Sequence, residues 1–154
     1  PTALALSRQS LPHFSRTPLQ LESIRRGGYI LVDCEGEADA ILIATGSEVS
    51  LAAVAARQLT EKDMVVRVVS MPCTSVFDAQ DVSYRERVLP PTVKARIAVE
   101  AGVSEFWRRY VGDYGRVIGI DRYGESAPAK DAFEYFGFTV DNIVKTVEAV
   151  VRKK

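Results

Sequence analysis

Residues 38–60 read ADAILIATGSEVSLAAVAARQLT. Positions 40–44 are five apolar residues in a row with no polar alternation. A run of that length and kind is a strand buried on both faces. Thr45, Gly46 and Ser47 interrupt it. Beyond them the period changes, and Val49, Ala52, Ala53, Ala56 and Leu59 fall on one helical stripe. Thr45 and Glu48 have the spacing of a capping box, in which each side chain satisfies the other's backbone amide. Strand, tight turn and helix form the repeating unit of an α/β sheet.

The same unit recurs downstream. MVVRVVSMP (64–72) is a strand, and SYRERVLP (83–90) is a short amphipathic helix stopped by Pro90 and Pro91. ARIAVEAG (95–102) is a strand, followed by SEFWRRYVG (104–112), a helix start with Ser104 as its cap. RVIGIDRYG (116–124) is a strand, and APAKDAFEYFG (127–137) is a helix with Pro128 near its first turn. TVDNIVKTVEAVVRKK (139–154) closes as an amphipathic helix. Ile143, Val144, Val147 and Val150 face inward, and the basic end complements the helix dipole.

Upstream, YILVDCEG predicts a strand over 29–33 with a turn at Glu35 and Gly36. So short a link to 40–44 predicts an antiparallel pair. Together these elements predict a three-layer α/β/α, Rossmann-like domain: a mostly parallel sheet of about five strands with one antiparallel edge strand. Residues 11–28, LPHFSRTPLQLESIRRGG, carry two prolines and a double glycine and read as a linker, with a short helix over 19–26 ended by Gly27. The chain opens PTALALSRQS: 2–7 read as a buried strand, with Arg8 at its tip between Ser7 and Gln9.

Composition narrows the function classes. A chain of 154 residues favours one domain, and that size buries roughly 68–70% of its unfolded surface. The 20 basic residues match 20 acidic ones, so the chain lacks the positive field that nucleic-acid binding needs. No apolar run reaches the roughly 20 residues of a membrane helix, and Arg8 interrupts the N-terminal apolar stretch that a signal peptide would require. A cytoplasmic protein is expected. Cys34 and Cys73 belong to no CxxC pair and read as reduced cysteines in or near the core. His13 alone builds no metal site; it is a loop histidine or a substrate contact.

Several stretches are candidates for chemistry. TGSE (45–48) stands where a phosphate loop would, yet it lacks both GxGxxG and GxxxxGK[ST], and Glu48 at the helix start repels phosphate. In an open α/β sheet, ligands settle outside the carboxyl ends of the strands. The ionisable residues there are Glu48, Glu100, Asp121, Arg122 and Glu125, all acidic but one. Such a rim receives an anionic cofactor poorly; it suits capping carboxylates, a cation or a neutral ligand. GDYG (112–115) resembles the start of a diphosphate–magnesium motif but lacks the asparagine that should follow, and reads as a turn. Phe106, Trp107, Tyr110 and Val111 either pack a short helix onto the core or face a partner domain. Arg8 can lay its stem on apolar surface and present its fork to a carboxylate in a structural ion pair, or to a phosphate.

The stretches LALSRQSLP, RGGYIL.D, ILIATGSEV, VRVVSMPC, FDAQD..YRE.VLP, AVEAG and GESAPA...FE.FGFTVDNIV, in that order, resemble the end of a transketolase. The likeness runs over nearly the whole chain. It implies that residues 1–28 are the end of a pyrimidine-binding domain plus the interdomain linker, and that 29–154 are the C-terminal domain. Transketolases move a two-carbon ketol unit between sugar phosphates, using thiamine diphosphate and a divalent cation (Mg2+ or Ca2+) that other parts of the family's chains hold. The resemblance assigns Arg8, matching the arginine of the family's SRQ motif, to the sugar-phosphate group. It assigns this chain no catalytic, cofactor or metal residue. The implied partners are the remaining domains and a second subunit of a homodimer. The expected role is architectural, with no activity for this chain alone. The alternative is a stand-alone small-ligand or regulatory module using the strand-end crevice, and a third option is an oligomerisation unit working through the Trp107 helix.

Overall fold

The computed structural model describes residues 9–152. Arg8 and the strand expected over 2–7 lie outside them.

The linker is ordered by its own chemistry. Thr17 caps α1 (Pro18–Ile24) in a full capping box with Gln20, and Pro18 occupies the first turn. The Gln20 amide also donates to the carbonyls of Ile30 (3.1 Å) and Leu31 (2.9 Å), pinning α1 along the next strand. Arg16 donates to the Tyr29 hydroxyl at 2.8 Å. Gly27 then turns the chain at φ +83°. A Cβ there would sit 2.3 Å from the Cys73 carbonyl, so both the backbone angle and the close approach require glycine.

Five strands follow: β1 (Tyr29–Val32), β2 (Ala40–Ala44), β3 (Val66–Ser70), β4 (Arg96–Val99) and β5 (Arg116–Ile118), in the spatial order β1-β3-β2-β4-β5. All pairs are parallel except β1 with β3. This is the expected fold class, with the antiparallel strand at the edge. One expectation fails. β1 does not pair with β2; it lies beside β3, with a bulge between Ile30 and Val32. β2 is wholly buried and takes β3 and β4 as its two parallel neighbours, which leaves no open side for β1. The seven residues 33–39 span roughly 23 Å when extended, enough to step past one intervening strand at about 4.8 Å spacing.

Helices α2 (Glu48–Thr60) and α7 (Val140–Val151) cover one face. In α7 the inward set is the one expected: Ile143, Val144, Val147 and Val150 are all buried. In α2, Ala55 is fully buried and Ala53 is not, so the stripe leans by one position. The other face carries α3 (Thr74–Asp78), α4 (Val82–Val88) and a 3₁₀ turn (Ser104–Trp107) running into α5 (Arg108–Val111). Trp107, Tyr110 and Val111 are buried there, as the core-packing reading of SEFWRRYVG expects, whereas Phe106 stays exposed. α6 (Ala129–Tyr135) starts after Pro128. No helix among the described residues is long and apolar enough to cross a membrane. At the sheet's centre Ile41, Leu42 and Ile43 are fully buried, each contributing about 1.5–3 kcal/mol by its removal from water.

Candidate functional site

The carboxyl ends of β2, β3 and β4 open toward the linker and the start of α2. The capping box expected between Thr45 and Glu48 does not form. Ser47 occupies the cap position without accepting from a backbone amide of the helix, and Gly46 takes a φ of +55°. The Glu48 carboxyl turns inward instead. It is buried to 4% exposure, accepts from the Ser47 hydroxyl at 3.0 Å and accepts from the Ala101 amide beyond β4. Those bonds hold its pKa down, but burial outweighs them and pushes it above the ordinary value.

Glu100 follows β4 directly and lies next to Glu48. Burial first, and the charge of Glu48 second, push its pKa up to about 7. Its Oε2 is buried and has no hydrogen-bond partner among the described residues. Sequence reading placed both residues at strand ends but did not bring them together; the only available signal was that each immediately follows or closely trails a buried run.

The other rim residues serve separate tasks. Asp121 accepts from the Ser104 amide (2.9 Å) and hydroxyl (2.6 Å), and these bonds hold its pKa below the usual carboxylate value. Ser104 therefore ties the chain after β5 to the turn after β4 and does not cap its own helix, correcting the expected role. Arg122 donates to the Tyr135 hydroxyl at 3.1 Å and lies over the Tyr135 and Phe136 rings. Glu125 is exposed. Gly112 of GDYG has a φ of +65°, as a turn requires. His13 is exposed in the linker. Cys34 is partly buried against the aromatic face, whereas Cys73, at the cap of α3, is exposed rather than near the core.

A diphosphate-bearing cofactor does not fit this end of the sheet. Glu48 already occupies the start of α2, and a second carboxyl stands beside it. The described residues include no group of three or more His, Cys, Asp or Glu side chains suited to a metal ion. A recess of about 260 Å³, which neither Glu48 nor Glu100 lines, lies between the linker (Phe14, Arg16) and the strand ends (Ser47, Ser70).

The family model of the transketolase-like TK C-terminal domain matches residues 27–139. Transketolase 1 of Vibrio parahaemolyticus is 57% identical over 151 residues, 98% of this chain and 23% of that protein. Transketolase 1 of Escherichia coli K12 is 57% identical over 94% of this chain and 22% of its own length. The chain thus spans less than a quarter of these curated relatives. Among solved structures, a transketolase from Leishmania mexicana superimposes with a TM-score of 0.80 at 41% identity, covering 86% of this chain and 19% of that one. A Pichia stipitis transketolase mutant in complex with xylulose-5-phosphate superimposes at 0.84 with 34% identity, covering 94% and 20%. With the family model spanning the sheet and most of its helices, and 57% identity to a curated relative over 98% of this chain, the chain belongs to the transketolase family through its C-terminal domain.

Proposed function

We propose that this chain works as the C-terminal part of a longer transketolase, a transferase moving a two-carbon ketol unit between sugar phosphates in the pentose phosphate pathway of the cytoplasm. The observation that carries this reading is the 57% identity to a curated transketolase over 98% of the chain. Residues 29–154 form the C-terminal domain, and 1–28 are the end of the pyrimidine-binding domain and the linker. Thiamine diphosphate and Mg2+ or Ca2+ are held by other parts of the enzyme, which is a homodimer.

The role of this part is architectural. The linker docks onto the sheet through Arg16 on Tyr29 and Gln20 on two β1 carbonyls. Arg8, leading directly into that linker, grips the substrate's phosphate with its guanidinium fork. Ketol transfer needs a bound and activated cofactor, so the chain alone is inactive. The test adds thiamine diphosphate, Mg2+, xylulose 5-phosphate and ribose 5-phosphate to the chain. No turnover is expected, and robust turnover refutes the architectural role. In the longer enzyme, Arg8→Ala raises KM for phosphorylated sugars far more than for unphosphorylated ones; equal effects on both remove Arg8 from the phosphate.

A second reading, a small-ligand module, draws on the recess between linker and strand ends. It requires saturable thermal stabilisation by a metabolite, reversed when Ser47 and Ser70 are replaced by bulkier residues.

A further inference from the structure

On the face opposite α2 and α7, a recess of about 490 Å³ lies between α3, α4 and α5. That volume falls within the range of small-ligand sites, about 300–1,000 Å³. Three arginines line it, and each is in a different state.

Arg96, at the start of β4, is locked in place. Its guanidinium donates to the carbonyls of Val93 (3.0 Å), Tyr110 (3.1 Å), Leu89 (3.1 Å) and Pro90 (2.7 Å). These are dipoles, not charges, so no carboxylate neutralises it among the described residues. Arg109, on the rim, pairs with Asp78 at 3.3 Å. Asp78 is committed further, because it accepts from the Tyr110 hydroxyl at 2.9 Å. Arg85, on α4, has no acceptor at all among the described residues, and its Nε is buried. The side chain as a whole is half-buried, so its terminal amino groups reach the recess while Nε lies away from water. Glu86, also on the rim, is exposed to solvent and makes no ion pair among the described residues. Three cations thus face two carboxylates, one of which is already spent. The remaining wall is apolar, built by Phe77 and Leu89.

We infer that this recess binds a small oxyanion, a phosphate or carboxylate carried on a compact organic body, with the free Arg85 fork as its principal contact and Arg109 at its mouth. The ligand's anionic group is met by the two terminal amino groups of Arg85, which have no acceptor among the described residues, in the bidentate geometry guanidinium favours, while the buried Nε reports the change in its electrostatic surroundings. Its body rests on the ring and aliphatic wall. The site lies away from the carboxyl ends of the strands and stands independently of the transketolase activity proposed above. A buried acid of a second copy is the competing occupant, and concavity together with the ligand-sized volume favours the small molecule.

The test follows the side-chain Nε–H resonance of Arg85 in the wild-type chain by ¹⁵N NMR, at constant ionic strength, through separate titrations with inorganic phosphate and acetate. A saturable shift is expected in at least one arm, and the arm that saturates at lower concentration identifies the preferred oxyanion. Arg85→Met should weaken that binding at least about tenfold, the loss of a charged hydrogen-bonding fork; Arg109→Gln should weaken it less. No saturable movement in either arm overturns the inference without recourse to any variant. So does unchanged affinity in a folded Arg85→Met chain, or an Arg85 resonance that responds to protein concentration and not to added anion.

Discussion

On one face of the sheet, α2 and α7 press Ala52, Ala55, Leu59, Ile143 and Val147 onto β2 and β4; on the other, the short helices press Phe77, Tyr84, Trp107 and Tyr110 against β3 and β4. The first set carries no polar atoms on its side chains. Its fit is a matter of volume alone. The second set arrives with hydroxyls that must be satisfied. Tyr84 donates to the Gly28 carbonyl at 2.8 Å, and Tyr110 donates to Asp78. Arginines come with them: Arg26 lies 4.1 Å from the Tyr84 ring centroid, and Arg85 and Arg96 line the recess. The difference teaches where binding capacity can reside. An aliphatic layer offers nothing to a ligand except exclusion, whereas an aromatic and arginine layer carries fixed donors beside apolar wall.

The largest expected effect tests the aliphatic face. Leu59 is fully buried, and Leu59→Ala should cost about 2–5 kcal/mol in denaturant unfolding, the lost transfer energy plus a cavity term. A cost under about 1 kcal/mol would break the claim that this layer is close-packed.

Next is the rim where β4 meets the start of α2. The Glu100 carboxyl has a folded-state pKa of about 7 against an ordinary 4.5. The folded chain therefore binds that proton more tightly than the unfolded chain does. The stability this confers is fully present below about pH 4.5 and is lost as pH rises through about 7. Glu100→Gln, which keeps the shape without the charge, should stabilise the protein at pH 8 by up to about 3 kcal/mol, and the gain should vanish near pH 4. A gain that does not change with pH would show that charge is not what burdens this site.

The smallest effect separates the two faces most cleanly. Tyr84→Phe keeps the ring and its packing but leaves the buried Gly28 carbonyl without its donor, a cost of about 1–2 kcal/mol. Leu59→Met, a swap of similar volume on the other face, should cost less than that. If both cost the same, hydrogen bonding does not distinguish the layers.

Legibility in the sequence divides along the same line. α7 has 12 residues and α2 has 13, enough turns for the 3.6-residue period to show, so the aliphatic face was readable position by position apart from the Ala53 and Ala55 exchange. α3 has five residues and α5 four, less than two turns each. Their apolar positions carry no visible period, and α3 was not anticipated at all. The candidate site was half legible. TGSE and EAG both mark strand ends, but Thr45 and Glu48 have the spacing of a local capping box, and local spacing favours that. The local cap does not form because the Glu48 carboxyl turns instead toward the Ser47 hydroxyl and the backbone of Ala101, in the turn after β4.

What the sequence by itself determined is the set of strands and long helices, the parallel, doubly covered character of the sheet, and membership of a family whose motifs span the chain. All of these follow from short-range periodicity and from residues that are near neighbours along the chain. Only the tertiary structure decided that β1 lies beside β3, that Glu48 and Glu100 share one buried corner, and that Arg85 faces a recess without an acceptor. Each of these joins residues from separate elements. Burial makes such meetings costly or useful, yet the strand order that creates them is set by the packing of the whole sheet and leaves no mark on any local stretch of sequence.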